Sequence, residues 1–396
     1  MTTGKEGEKP PAIYNEGVRI RGYYDLSTES NKVIWHPVGD AWNENEIIEF
    51  RELSNQSYKL YARVPVHPEN VFFFGAGASF GSDGRHLYNE GHLPPLGKDL
   101  YPQLRDHPEL EQWRNIPFEI QEIFMTRTFE DGMDALSKDA EASRKTLQRD
   151  LELSLFFSKY IPRSSNLYRK LAGKITRKLK SGGWPGAAIT LNYERLLEGA
   201  FLYNSVFTPV KGVTFYDISD DDPLFLSQAE QLFEICYPHG ACQFFLAQNR
   251  FSGDGDFEVR EISGHTGANH LLGFEHIQTA CKNRQFPLFS RYHPDKIPTV
   301  KNYFINTQRK RSEKLILNAK LITIIGVTCL PNDNHIWDPL SATKTFIVYV
   351  EPGEWGQKEF RDWAVRCGKV EDKDFTIIPH TFKGAFEDIL RLNNLY

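Results

Sequence analysis

The chain has no paired-cysteine motif. Its five cysteines, Cys236, Cys242, Cys281, Cys329 and Cys367, are odd in number and include no Cys-x-x-Cys. That excludes a disulfide framework of the small secreted kind and a zinc ribbon built on such pairs, and reduced thiols are expected. Long uncharged apolar runs are also missing, so no bilayer-spanning helix is expected. The stretch MTTGKEGEKPP is polar and has no apolar signal-peptide core, which gives a cytoplasmic location as the expectation. No Gly-Lys-Ser/Thr occurs, so there is no Walker loop. An excess of positive charge is absent as well. The net charge of -5 argues against a generally basic nucleic-acid binder. There are no internal repeats and no low-complexity tract.

What is present is an ordinary globular composition, 40% hydrophobic and 25% charged over 396 residues, with aromatics at 13%. Such a chain can bury a sizeable core as one elaborated domain or as two. Residues 1–66 read as a polar tail followed by a β-rich extension. "GVRIRGYYDL", "NKVIWHPV" and "YKLYARVPV" alternate apolar and polar residues in the manner of antiparallel strands. Residues 67–396 alternate buried strands with helices, and several strands close on glycine turns. The fold class expected is α/β: a Rossmann-like parallel sheet with helices on both faces and its site at the carboxyl edge of the strands. A helical insertion at about 107–183 interrupts it. "TLQRDLELSLFFSKYI" and "SSNLYRKLAGKITRKLK" have helical spacing, with Gly182 and Gly183 at the far end. This block shows no catalytic cluster and reads as a lid or an assembly surface. Its basic run reads as a solvated helix face, with a nucleic-acid patch as the other reading.

Five stretches could carry chemistry. "VFFFGAGASFG" ends a buried strand at Gly75 and continues Ala76, Gly77, Ala78, Ser79 with no bulky side chain before Phe80. It is either a phosphate cradle or a tight strand-to-helix turn, and the third glycine of a dinucleotide fingerprint is replaced by Phe80. In "ITLNYERLLEGA", Asn192 stands at a strand end. It could face the site or cap the next helix, with Glu194 in that helix's first turn. In "YPHGA", His239 is either a base that titrates near neutral pH or a simple turn histidine. In "IIGVTCLPNDNHI", Gly326 ends a buried strand and Thr328 offers a hydroxyl. In "YVEPG", Glu351 could hold a ribose or only solubilise a strand end.

Taken in order, the Gly-Ala-Gly-Ala-Ser turn, the Thr-x-Asn strand end, the His-Gly turn and the Gly-x-Thr turn resemble the sirtuin-like NAD-binding domain. The resemblance is to the divergent branch found in bacterial antiphage defence systems, and it covers roughly Val71 to the C-terminus. It implies that Gly75, Ala76, Gly77, Ala78 and Ser79 bind the cofactor pyrophosphate, and that Asn192 and His239 are the catalytic pair. It also implies that Glu194 takes the position of a family Asp, that Gly326 and Thr328 form the later phosphate and ribose turn, and that Glu351 lies near the adenosine ribose. The four zinc cysteines of protein-deacylating sirtuins have no counterpart at the usual spacing, and no zinc is expected.

What the resemblance implies is an NAD hydrolase that releases nicotinamide and ADP-ribose, with NAD as substrate, acting in antiphage defence by NAD depletion (abortive infection). A homo-oligomer and a separate partner chain, such as a translocase-type ATPase or a sensor, are implied with it. Alternatives are an NAD-dependent protein deacylase, a producer of cyclic ADP-ribose, and a nucleotide-sensing module without turnover.

Overall fold

A computed structural model describes residues 69–87, 92–180, 186–203, 233–246, 268–271, 274–290, 303–330 and 333–396, with the backbone of short strands between residues 14 and 51. The expected strand YKLYARVPV and the Gly182–Gly183 helix end lie outside the described residues. Arg21–Asp25, Lys32–Val38 and Ile48–Arg51 pair as antiparallel neighbours, the arrangement expected for the N-terminal extension.

Six strands form the central sheet: β1 (Asn70–Phe74), β2 (Gly186–Thr190), β3 (Glu234–Cys236), β4 (Leu321–Ile325), β5 (Phe346–Val350) and β6 (Phe375–Ile378). All pair in parallel, in the spatial order 3-2-1-4-5-6. This is the doubly wound Rossmann order, whose direction of winding reverses between β1 and β4. The apolar runs VFFF, LITII and FIVYV lack alternation because both faces of these strands are covered. Val71 to Phe74 are all fully buried. The two-residue period of β1 sends Val71 and Phe73 into one core with Ile322, Ile324, Ile347 and Tyr349. Phe72 and Phe74 enter the other core, with Ala188, Ile325 and Val348. Each such side chain contributes about 1.5–3 kcal/mol of transfer free energy.

Helices Tyr303–Asn318, Asn334–Ala342 and Glu354–Arg366 cover the first face through Leu315, Trp337 and Phe360. Helices Leu167–Lys180 and Phe386–Leu392 cover the second through Tyr168, Leu171 and Ile389. Between β1 and β2 the chain is mostly helical, including Gly97–Asp106, Phe118–Thr126, Phe129–Lys138 and Thr146–Ser158. Trp113, Phe124 and Phe129 of this block belong to the same continuous core as Phe72 and Phe74. The insertion is therefore packed onto the sheet. Beyond β3, strand Gly240–Leu246 pairs antiparallel with Ala268–His270 and Pro287–Phe289. No described helix is long and apolar enough to cross a membrane.

Candidate active site

The six parallel strands all end on one edge, so the residues that follow them are brought together in space. Two turns meet where the winding reverses. Gly75 N–H donates to Ile325 O and Gly77 N–H to Gly326 O, each at 3.0 Å. A Cβ on Gly75 would stand 2.4 Å from Gly326 O, and one on Gly326 would stand 2.1 Å from Ala78 N. Gly326 also has φ +61°, a left-handed conformation that other residues adopt at a cost. The glycines after β1 thus serve first to dock that turn against the β4 turn. A tight strand-to-helix turn is present here, and helix Ala76–Gly81 follows it. The turn still lines a cleft.

The cleft has a volume of about 660 Å³. Its walls include Gly75, Ala76, Gly77 and Ser79 after β1, Asn192 and Glu194 after β2, and His239 after β3. Gly326 and Thr328 after β4 and Glu351 after β5 complete the set. Ten of the eleven candidate residues named from the sequence therefore meet at one cavity. The other, Ala78, is fully buried behind the turn, in the core with Phe72 and Phe74.

Asn192 is not a helix cap. The next helix begins at Leu196, and the Asn192 side chain turns the other way. Its Nδ2 donates to Gly75 O at 3.0 Å and to Ser79 Oγ at 2.8 Å. Its own N–H donates to Thr190 Oγ1 at 3.2 Å. With Nδ2 occupied by these acceptors, Oδ1 is the atom that Asn192 offers to the cleft. Ser79 Oγ also donates to Glu194 Oε1 and lies 3.0 Å from the Tyr168 hydroxyl. One proton assignment satisfies all four groups: Tyr168 and Asn192 donate to Ser79, and Ser79 donates to Glu194. The second Glu194 oxygen accepts Leu196 N–H. Burial raises the Glu194 carboxyl to about 7, against the lowering effect of these donors.

His239 is a turn residue, and it is only 4% exposed. Helix Tyr303–Asn318 holds its turn in place. Gln308 Oε1 accepts Tyr237 N–H at 2.9 Å, Arg309 Nε donates to Pro238 O at 3.2 Å, and Arg311 makes a bidentate pair with Glu234 at 2.8 Å for each contact. Ser290 N–H donates to His239 O at 2.6 Å. The ring stacks on Tyr193 with centroids 6.4 Å apart and meets His335 edge-on at 5.0 Å. Its Nε2 lies 3.1 Å from Asp333 Oδ2, and Asp333 Oδ1 lies 2.8 Å from His335 Nδ1. These three side chains bring one donor atom each within 4.8 Å of one another, close enough that a metal ion could be shared among them.

Glu351 is half-buried. Its Oε1 accepts Gly353 N–H at 2.9 Å, and its side chain packs against Gly356, where an added Cβ would come within 2.8 Å of Glu351 Cγ. Burial raises its carboxyl. Thr328 is exposed at the cleft.

Sequence reasoning missed three contributors. Tyr168 lies in the first turn of the amphipathic helix Leu167–Lys180, with nothing local to mark it. Lys383, on the loop after β6, lines the cleft without any motif around it. Asp333 had a readable signal, an acidic residue two positions before His335 in the quoted NDNHI stretch.

No protein-family model matches the chain, and no curated protein matches it. Solved structures do match. A mutant of a Sir2 homologue in complex with ADP-ribose is 12% identical over 84% of this chain and 94% of that one, with a TM-score of 0.35. A Sir2 homologue in complex with NAD is 11% identical over 84% and 93%, with a TM-score of 0.33. At scores this low the likeness carries no weight for what this chain binds.

Proposed function

We propose that this cleft binds NAD and hydrolyses its nicotinamide–ribose bond. The observation that carries the reading is the convergence of Asn192, His239 and the Gly75–Ser79 turn on one cavity at the switch point of a doubly wound sheet. Ligands of open α/β sheets bind at this place, and about 660 Å³ is within the usual range for a ligand pocket. The residues suit a dinucleotide. The backbone at Ala76 approaches without a bulky side chain, Lys383 supplies a positive charge for a pyrophosphate, and Glu351 supplies an acceptor for ribose hydroxyls.

Nicotinamide is a neutral leaving group. As its bond to ribose breaks, the bonding pair goes to the pyridine nitrogen and the ribose carbon becomes oxocarbenium-like. The protein's work is to hold the ribose, place a water and take that water's proton. Asn192 Oδ1 accepts a hydrogen bond from the water or from a ribose hydroxyl, and the Gly75 and Ser79 bonds fix the amide in that orientation. His239 takes the proton as general base, a contribution of roughly a hundred- to ten-thousand-fold in rate. Glu194 acts through Ser79 and Asn192 and touches no reacting atom.

The sequence resemblance supports the wider role: an effector of antiphage defence by NAD depletion, active as a homo-oligomer and released by a separate ATPase or sensor chain. The test is product analysis by mass spectrometry after NAD is mixed with the protein and its co-purifying chains, with and without an acetylated peptide. Nicotinamide and free ADP-ribose in equal amounts, unaffected by the peptide, are expected. Acyl-ADP-ribose formed only with the peptide would show a deacylase and overturn the reading.

A further inference from the structure

Asp333 lies just beyond the β4 turn, immediately before helix Asn334–Ala342, and His335 follows in the first turn of that helix. His239 reaches the same place from the turn after β3. Asp333 is 5% exposed, and a carboxylate this buried is costly unless its oxygens are satisfied. Two imidazoles flank it. Oδ2 lies 3.1 Å from His239 Nε2, and Oδ1 lies 2.8 Å from His335 Nδ1. Close as it is, Oδ1 accepts no hydrogen bond among the described residues. His335 Nε2 is also buried without a hydrogen bond among them. The carboxylate and the imidazoles thus converge without pairing as donors and acceptors, which is how the ligands of a cation are arranged.

We propose that His239, Asp333 and His335 bind a divalent transition-metal ion of the zinc class, and that the bound ion holds cleavage off. One donor atom from each residue lies within 4.8 Å of the others. Zinc bonds of about 2.0–2.2 Å put neighbouring tetrahedral donors roughly 3.3 Å apart, so the contacts of 3.1 and 2.8 Å need open by about half an ångström at most. Two imidazoles and one carboxylate suit zinc, cobalt or nickel better than magnesium or calcium, which take oxygen ligands. Three protein donors leave a coordination position open. Asp333 and His239 both line the cleft, so an ion between them is reached from it. No cysteine takes part, and the site is separate from the zinc ribbon that the sequence lacks.

The effect on catalysis rests on the NAD-cleaving reading of the cleft; the metal site does not. An imidazole with one nitrogen on a metal carries its proton on the other. His239 in the loaded protein therefore has no lone pair for the proton of the attacking water. Removal of the ion returns the base. The ion binds and leaves with no covalent change in the chain, so the control is reversible.

The test is calorimetric titration of zinc chloride into the chelator-treated full chain, as wild type, His335→Phe and Asp333→Asn, each shown to be folded by circular dichroism. His335→Phe keeps a ring edge-on to His239 and removes the donor, while Asp333→Asn keeps the shape and removes the charge. Wild type is expected to bind one zinc ion per chain, and each variant to bind it about a hundredfold or more weaker. Magnesium at the same concentration should not bind. The visible spectrum of cobalt(II) on wild type, expected without thiolate bands, is a readout that needs no variant. No stoichiometric zinc in wild type, or equal affinity in a folded variant, overturns the site. In the NAD assay one equivalent of zinc is expected to stop cleavage by wild type and a chelator to restore it. His335→Phe should need about a hundredfold more zinc for the same effect. Zinc bound at the site with cleavage unchanged or raised overturns the inhibitory role. Wild type that never cleaves NAD, with chelator or without, would refute the reading of the cleft, while the zinc titration would still decide the metal site.

Discussion

Replacing Glu194 with Gln tests the buried network that orients Asn192. Glu194 is 5% exposed, and its carboxyl is raised by burial from 4.5 to about 7. An acid raised in the folded state binds more protons folded than unfolded between those values, so stability falls as pH rises through that window. At about 1.36 kcal/mol per unit, the full effect is about 3 kcal/mol above the folded value. From about pH 5.5 to about pH 8.5, the part lost is about 2 kcal/mol. Glu194→Gln removes this dependence. The amide can be accommodated, with its oxygen accepting Leu196 N–H and its nitrogen donating to Ser79 Oγ, which then turns its proton to Tyr168. Urea unfolding of both proteins across this range isolates the group, since Glu152, which burial also raises to about 7, is common to both. The stability of wild type relative to Glu194→Gln is expected to drop by about 2 kcal/mol between the two ends. A difference constant within about 0.5 kcal/mol would refute a buried, titrating Glu194 and the network drawn around it.

Gly326→Ala places a Cβ against the Ala78 and Gly77 backbone at a positive φ, and no flexible side chain can give way. A loss of about 3 kcal/mol or more is expected, with NAD binding abolished, as read by thermal unfolding and calorimetry. Glu351→Gln removes a negative charge that would repel a 2′-phosphate. The preference for NAD over NADP is expected to shrink by about tenfold or more in competition binding, with stability changed by less than about 1 kcal/mol.

The central strands of the sheet were legible because VFFF, LITII and FIVYV are unbroken apolar runs that each close on a turn, while the partly exposed edge strand Phe375–Ile378 carries no such run and was not read. The order of strands was not, since nothing local states which run lies beside which. Asn192 and His239 were legible as residues at strand ends, where a parallel sheet gathers its chemistry. The role of Gly75 and Gly77 was only half legible. The sequence called for a close approach, but the partner that approaches is Gly326, over two hundred residues away in the chain. Ala78 read as part of the cradle because the motif is linear, whereas the helix that starts at Ala76 rotates it into the core. Tyr168, buried behind Ser79, and Lys383, on the cleft wall, could not have been found, because their places depend on packing of distant segments.

The most direct measurement is the rate of NAD consumption by wild type and by Asn192→Ala, each purified with its co-purifying chains and each shown to be folded by circular dichroism. Wild type should consume NAD and release nicotinamide, while Asn192→Ala should leave NAD intact. Consumption at the wild-type rate by Asn192→Ala would contradict the assignment of this cleft as the place where NAD is cleaved.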